Sequence, residues 1–115
     1  AYWTGHPTVL YPASKMAMVS FTRQIAMQNA DAGVRANAIL PGLMDTPMAV
    51  DRRVEITGRT RDDIASERDS KVPLLNKMGT GWDVAHAALF LASDDAGFIT
   101  GVELPVDGGS MARVG

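Results

Sequence analysis

The chain has 115 residues, of which 46% are hydrophobic and 21% are charged, and its formal net charge is -2. This length suits one small domain of roughly 100–150 residues, and the slightly negative charge provides no basic surface for a nucleic acid. The sequence has no cysteine, which excludes a disulfide scaffold, a thiolate metal site and a cysteine nucleophile. With only two histidines, far apart in the chain, we also expect no metal centre.

The apolar stretches are all much shorter than the roughly 20 residues that a membrane-spanning helix needs. Residues 1–7 lack the basic region and the apolar core of a signal peptide. We therefore expect a cytoplasmic protein with no membrane partner.

The first predicted element is a long helix over residues 8–32, after a loop at residues 4–7. Thr8 is a suitable N-cap, Pro12 falls in the first turn, and Gly33 can provide a left-handed C-cap. Apolar residues occur on more than one side of this helix, so we expect it to be buried on both sides.

A short strand over residues 34–40 should follow, closed by Pro41 and Gly42. The charge-rich stretch 51–71 has balanced signs, which is typical of a solvated helical excursion. Within it, Thr60 and Asp63 have the spacing of a capping box.

The last two elements are a helix over residues 81–92 and a strand over residues 102–106. Thr80 and Asp83 mark the start of the helix, and Pro105 favours a sheet edge for the strand because it has no N–H to donate. The order helix–strand–helix–helix–strand predicts an α/β fold with two parallel strands. Because two strands make a poor sheet, we expect further strands before residue 1 and exposed apolar surface on this chain alone.

The first motif with chemical content is the pair Tyr11 and Lys15. Residues four apart share one face of a helix, and a cation beside a phenol favours the phenolate that proton transfer requires. The spacing alone favours a simpler interpretation, a helical tyrosine that packs on the stem of a lysine.

Four further segments give this pair a context. The pair itself belongs to Tyr-Pro-Ala-Ser-Lys at residues 11–15. The four further segments are Val-Arg-Ala-Asn-Ala-Ile-Leu-Pro-Gly-Leu-Met-Asp-Thr-Pro-Met at 34–48, Phe-Leu-Ala-Ser-Asp at 90–94, Ile-Thr-Gly at 99–101 and Val-Asp-Gly-Gly at 106–109. In this order and spacing, the sequence resembles the C-terminal half of a short-chain dehydrogenase/reductase. The resemblance extends from residue 11 to residue 109.

The resemblance implies the C-terminal half of a Rossmann-like, doubly wound parallel sheet, with residues 1–115 as part of a single domain and residues 48–78 as a substrate lid. It implies an NAD- or NADP-dependent oxidoreductase that interconverts an alcohol and a carbonyl of a small molecule. It also implies a homo-oligomer, a dimer or a tetramer, with the long helix at the subunit interface.

The resemblance also assigns roles to individual residues. Tyr11 matches the general acid/base, and Lys15 matches the lysine that assists it and binds the nicotinamide ribose. Pro41 and Gly42 match the turn beside the nicotinamide. Two further positions complete the cofactor set: Met44, whose backbone would bind the carboxamide, and Thr46, whose hydroxyl would contact the carboxamide or the pyrophosphate.

Several family features are missing from the sequence. The glycine-rich Thr-Gly-x-x-x-Gly-x-Gly fingerprint, which brings a helix N-terminus to the pyrophosphate, does not occur, and neither does the catalytic serine. Ser14 is expected to be an ordinary helix residue, and Thr4 and Thr8 have the wrong spacing to replace that serine. The alternative hypothesis is therefore that residues 1–115 alone are an inactive, truncated piece that binds no dinucleotide.

The remaining candidates receive structural interpretations. His6 and His86 are expected to be a loop residue and a helix residue, and Trp82 to pack at a helix start. Met44 and Met48 either fill a core or line a substrate pocket. Asp45 and Asp107 are expected to act as caps or turn formers.

Overall fold

A computed structural model describes residues 9–114. The predicted loop at residues 4–7, with His6, and the predicted N-cap Thr8 lie outside the described residues. The elements occur in this order: α1 Leu10–Gln28, β1 Ala38–Pro41, α2 Arg52–Thr57, α3 Arg61–Asp69, α4 Gly81–Ala92 and β2 Glu103–Val106. Short turns of 3₁₀ helix occur at Ala30–Ala32, Asp94–Ala96 and Ser110–Ala112, and a π-helical turn at Pro47–Asp51.

The chain forms two compact units. One contains the chain up to Leu40 together with Phe90–Leu104, and the other contains Pro41–Leu89 and the chain from Pro105 onwards. The order of elements confirms an α/β arrangement, with one correction. The predicted single excursion is two helices, α2 and α3, because Gly58 adopts a left-handed conformation (φ +70°) that ends α2.

In the first unit, α1 is shorter than predicted. Its last turn ends at Asn29, whose backbone N–H and side-chain amide both donate to the carbonyl of Ile25, at 3.2 and 2.9 Å. A side chain that binds the local backbone in this way competes with helix continuation. Gly33 has the predicted left-handed conformation (φ +75°), but it closes the 3₁₀ turn that comes after α1.

Only one side of α1 is covered by the described part of the chain. Val19 and Ala26 are buried, whereas Met18 and Phe21 on the other side stay exposed. Within residues 9–114, the chain itself buries one side of α1, and the expected cover of the other side stays a prediction. Ala26 faces Gly101, where an added Cβ would lie 3.7 Å from the Ala26 Cβ.

The sheet of the described residues consists of β1 and β2. Ala38 N–H donates to the carbonyl of Val102 at 2.9 Å, and Gly42 N–H donates to that of Val106, also at 2.9 Å. Both partners advance by four residues in the same direction, so the strands are parallel, as the sequence predicts.

β1 begins four residues later than predicted because side chains make much of the pairing before Ala38, beside one backbone bond from Gly101 N–H to the Ala36 carbonyl at 2.7 Å. The amide of Asn37 donates to the Ile99 carbonyl at 3.2 Å and accepts from Val102 N–H at 3.1 Å. The hydroxyl of Thr100 accepts from Ala36 N–H at 3.1 Å. These bonds connect the two segments without regular strand geometry.

Arg35 holds the end of α4 in the same unit. Its guanidinium donates to the carbonyls of Leu91, at 2.7 Å, and Ser93, at 3.1 Å. The Leu91 carbonyl belongs to the last turn of α4, where no intrahelical donor is available, and Ser93 directly follows the helix. Arg35 therefore acts as a C-cap contributed from a distant part of the sequence.

The second unit has its own core of four buried residues, namely Val50, Ile64, Val72 and Met78. The predicted cap of α3 is confirmed: the Thr60 hydroxyl accepts from Asp63 N–H at 3.2 Å. At the start of α4, the Asp83 carboxylate accepts from Thr80 N–H at 2.7 Å. α4 has the predicted bounds, residues 81–92.

Much apolar surface remains exposed, as the sequence predicts. Large exposed side chains include Leu10, Met18, Phe21, Met48, Ile56, Leu75, Trp82, Leu89 and Phe98. Trp82, in the first turn of α4, is largely exposed, and its ring centroid lies 6.5 Å from that of His86 one turn later. Among residues 9–114, no helix is both long enough and apolar enough to cross a membrane.

The excursion contains an ion-pair cluster that predicts a pH dependence. Glu67 accepts from Arg59 at 2.7 Å and lies 3.4 Å from the Lys71 ammonium. The Arg59 hydrogen bond, followed by that of Lys71, lowers the pKa of Glu67 below its ordinary value of 4.5. The ion pairs of Glu67 therefore stabilise the fold above that value, and their contribution is lost as the pH falls through the lowered folded-state pKa.

We expect a carboxyl NMR titration to give Glu67 a midpoint below 4.5, and Arg59→Gln to raise it. The control is Arg52→Gln, which removes an exposed arginine outside this cluster and should leave the midpoint unchanged. An unchanged midpoint in Arg59→Gln would contradict this account of the cluster.

Candidate active site

Tyr11 and Lys15 lie on one side of α1, in the first unit. Tyr11 is in the first turn and half-exposed. The Lys15 ammonium lies 5.4 Å from the centroid of the Tyr11 ring, which is a cation–π distance. The structure thus brings the phenol and the ammonium together, as their four-residue spacing predicts.

Ser14 is one of the helix residues between them. Its hydroxyl donates to the Tyr11 carbonyl at 2.8 Å. Because this bond commits the hydroxyl proton to the helix backbone, the geometry agrees with the expectation that Ser14 is a structural residue.

The other predicted site residues, from Pro41 to Thr46, belong to the second unit. Pro41 is the last residue of β1, and Gly42 N–H continues the ladder to Val106. A Cβ added at Gly42 would lie 2.6 Å from the Cβ and 2.7 Å from the Cα of Asp107. The close approach of Asp107 therefore requires glycine at this position, whatever else the position binds.

Met44 forms a parallel bridge with Gly79. The flanking residues make its two hydrogen bonds: Gly79 N–H donates to Leu43 at 3.1 Å, and Asp45 N–H donates to Gly79 at 2.8 Å. Since peptide groups alternate in direction along extended chain, the N–H and the carbonyl of Met44 face away from Gly79. Within residues 9–114, nothing hydrogen-bonds to these two groups.

The side chain of Met44 is buried over Gly79, with its Sδ 2.6 Å from where a Gly79 Cβ would be. Met48 is instead largely exposed. Met44 thus belongs to the packed interior of its unit, and only its backbone is available for a ligand. Nothing in the sequence marks Gly79 as the partner of Met44.

Thr46 begins the π-helical turn Pro47–Asp51. Its backbone is extended, and its hydroxyl accepts from Ala49 N–H at 3.2 Å. A threonine hydroxyl also carries one proton to donate. Among the described residues, no hydrogen bond uses that proton.

Asp45 and Asp51 share Arg61, a residue that no sequence motif marks. Nη2 of Arg61 lies 2.5 Å from Asp45, and Nε lies 2.9 Å from Asp51. The hydrogen bond to Asp45 and then that to Asp51 raise the pKa of Arg61 above its ordinary value. Asp45 is therefore an ion-pair partner and not a cap.

Asp107 is the turn former that the sequence predicts. Its carboxylate accepts from Gly109 N–H at 2.9 Å and from Met111 N–H at 2.8 Å. An open cavity of about 390 Å³ lies near this turn and contains none of the predicted site residues; its lining includes Ser70, Val72, Pro73, Asn76, Gly109, Ala112 and Arg113. Among the described residues, no group of three or more acidic or histidine side chains could hold a metal ion.

The geometry of Gly42 predicts a large difference between two glycine substitutions. Gly42→Ala places a methyl group inside the contact distance of Asp107, so we expect a loss of about 1–3 kcal/mol or more in the free energy of unfolding. Gly81→Ala is the control, because a Cβ there meets nothing within 4 Å and the residue is helical. Urea denaturation of both variants tests this; equal stability of the two would contradict the close approach.

Comparison with known proteins shows which family the chain belongs to. The family model described as enoyl-(acyl carrier protein) reductase matches residues 2–111. The chain is 42% identical over 99 residues to 2,5-dichloro-2,5-cyclohexadiene-1,4-diol dehydrogenase LinX of Sphingobium indicum, which covers 86% of this chain and 36% of that relative.

Two solved structures are also similar. Ligand-free aldohexose dehydrogenase (AldT) of Thermoplasma acidophilum has a TM-score of 0.89 at 33% identity, over 99% of this chain and 45% of that chain. ElxO, solved with NADP bound, has a TM-score of 0.79 at 32% identity, over 96% and 42%. The chain thus spans less than half the length of each of these proteins. The likeness confirms the predicted fold class, part of a Rossmann-like α/β fold with a parallel sheet, and the chain belongs to the short-chain dehydrogenase/reductase family.

Proposed function

We propose that the whole protein is an NAD(P)-dependent oxidoreductase that interconverts an alcohol and a carbonyl of a small molecule. The observation that carries the proposal is the placement of the Lys15 ammonium 5.4 Å from the Tyr11 ring on one side of α1. Membership of a family whose matched relatives are named dehydrogenases supports it.

Tyr11 is the general acid/base in this proposal. In the direction of reduction, its hydroxyl donates a proton to the carbonyl oxygen while hydride reaches the carbonyl carbon; in oxidation, its oxygen accepts the alcohol proton. Lys15 assists Tyr11 as the cation beside its ring. The nicotinamide supplies or accepts the hydride when it is bound.

The described residues have suitable groups for a nicotinamide cofactor. A carboxamide needs one donor and one acceptor, and Met44 presents an N–H and a carbonyl that face away from Gly79. Thr46 has a hydroxyl proton to donate, and Lys15 has ammonium donors for ribose hydroxyls. Pro41 and Gly42 end β1 ahead of these groups, in agreement with the rule that α/β proteins bind ligands beyond the carboxyl ends of strands.

The proposal includes both NAD and NADP as the cofactor. The similar structure of ElxO holds NADP, but none of the residues proposed to bind the cofactor selects between the two. The substrate is proposed as a small alcohol or ketone, since the matched relatives are named for a cyclic diol and an aldohexose.

Two structural roles belong to the same proposal. Residues 48–78, which contain α2 and α3, form the substrate lid, and residues 1–115 are part of a single catalytic domain. The exposed apolar side of α1, with Leu10, Met18 and Phe21, supports its role as the interface helix of a homodimer or homotetramer.

The chemistry is tested in the whole protein with Tyr11→Phe. Removing a general acid/base typically costs about 10²–10⁴-fold in rate, so we expect kcat to fall by that range while the cofactor still binds. Ser14→Ala is the matched control, because its hydroxyl serves only the Tyr11 carbonyl, and it should keep activity within about threefold. Full activity of Tyr11→Phe would contradict the proposal.

The alternative, that residues 1–115 alone are non-catalytic, is supported by the absence of the glycine-rich phosphate fingerprint from the sequence. NAD(P)H fluorescence with the 115-residue chain tests it. We expect no tight binding to this chain, and binding to the whole protein. Tight binding by the 115-residue chain would contradict the alternative.

A further inference from the structure

Arg61 connects the two ends of one short segment in the second unit. It is the first residue of α3, directly after the N-cap Thr60. Its Nη2 donates to Asp45, just before Thr46, and its Nε donates to Asp51, at the end of the π-helical turn. One guanidinium thus holds both ends of residues 45–51.

Asp45 links the Arg61 ion pair to the positions of the residues beside it. Its N–H is fixed to the Gly79 carbonyl at 2.8 Å, and its carboxylate is fixed to Arg61 at 2.5 Å. Its neighbours are Met44 and Thr46, which carry the backbone groups and the hydroxyl assigned to the cofactor. A displacement of Asp45 therefore moves both.

The simpler interpretation is that Arg61 forms ordinary surface salt bridges. Two observations distinguish its ion pairs from such bridges. The guanidinium uses two different nitrogens for two carboxylates, a geometry that the planar fork of arginine permits and the single ammonium of lysine does not. The exposed pair Arg59–Glu67 lies in the same excursion but touches neither Asp45 nor Asp51. Exposed pairs add little to global stability, so the effect of Arg61 should be local to residues 45–51.

We propose that Arg61 is a positioning residue for the cofactor-binding segment: by bridging Asp45 and Asp51, it sets the Met44 backbone and the Thr46 hydroxyl in place. This inference rests on the proposed function, because it assumes that these groups bind the nicotinamide. It also gives the proposed lid a specific contact, through α3, with the segment that comes after β1.

The test compares Arg61→Gln, Arg61→Lys and the control Arg59→Gln in the whole protein. We expect Arg61→Gln to raise the KM for NAD(P)H by about tenfold with kcat changed by less than about threefold, since binding is affected and proton transfer is not. Arg61→Lys should restore only part of this loss, because it keeps the charge without the fork. Arg59→Gln should stay within about twofold of the wild type.

Hydrogen exchange of the cofactor-free protein gives a second, independent readout. In Arg61→Gln, the amides of Asp45, Ala49 and Val50 should exchange faster, because these are the N–H groups that hold the segment. In Arg59→Gln they should not. An unchanged KM and unchanged exchange in Arg61→Gln, full rescue by Arg61→Lys, or equal effects of Arg59→Gln would each overturn the proposal.

The two readouts also separate this inference from the proposed function. If the wild-type whole protein binds no nicotinamide cofactor, the proposed function fails, and the inference that Arg61 positions a cofactor segment fails with it. If the wild type binds cofactor and the Arg61 variants behave as the wild type in both assays, only the positioning role fails.

Discussion

The parallel pairing of β1 with β2 is the constraint on which the rest of the structure depends. A different type of contact fixes each end of this strand pair. At the start, Asn37 and Thr100 replace ladder hydrogen bonds with side-chain bonds. At the end, Gly42 approaches Asp107 so closely that no side chain fits between them. A slip of one residue would put Pro41 or Leu43 at this point and also reverse the face of every side chain in the strand. The register is therefore determined by sterics as well as by hydrogen bonds.

The geometry beyond the end of each strand depends on that register. After β1, the bridge between Met44 and Gly79 turns one peptide edge outward and buries the methionine side chain. After β2, Gly108 accepts from Leu74 N–H at 3.0 Å, and an added Cβ there would lie 2.5 Å from a methyl carbon of Val72, a residue of the buried core. Both strand ends are thus packed into the same unit, which leaves backbone and not side-chain atoms of Met44 for recognition.

The sequence predicts the elements well where their signals are local. α4 has the predicted bounds because Thr80 and Asp83 define its start within four residues. The predicted β1 is too long because residues 36 and 37 pair with the other segment partly through side chains, and one of these belongs to Thr100, 64 positions away along the chain. No periodic pattern encodes such a contact. The predicted α1 is too long for a related reason, since Asn29 ends it through a bond that propensity alone does not reveal.

In the candidate site, too, local contacts can be predicted from the sequence and contacts between distant residues cannot. The proximity of Tyr11 and Lys15 can be predicted from their spacing, because residues four apart lie on the same face of a helix. The family resemblance predicts Gly42 as a cofactor residue, whereas the structure supplies an independent steric reason for it in Asp107. A glycine that a motif shares with a family can thus reflect packing of the strand ends as much as contact with a ligand.

Arg61 could not be found by such reasoning, because its two partners lie 16 and 10 residues away along the chain. In composition it is one of several arginines in a charge-balanced stretch, and that balance correctly predicts a solvated surface. In the structure, these arginines differ in which segment of the chain carries their acidic partner. The partner of Arg59 lies on the same helical excursion, so their bond holds only the excursion together. One partner of Arg61, Asp45, lies directly beside Met44 and Thr46, the residues that we propose to bind the cofactor, so the loss of this ion pair should weaken cofactor binding. Two ion pairs that are equally exposed to solvent can therefore differ greatly in functional importance, because the backbone to which each is attached differs.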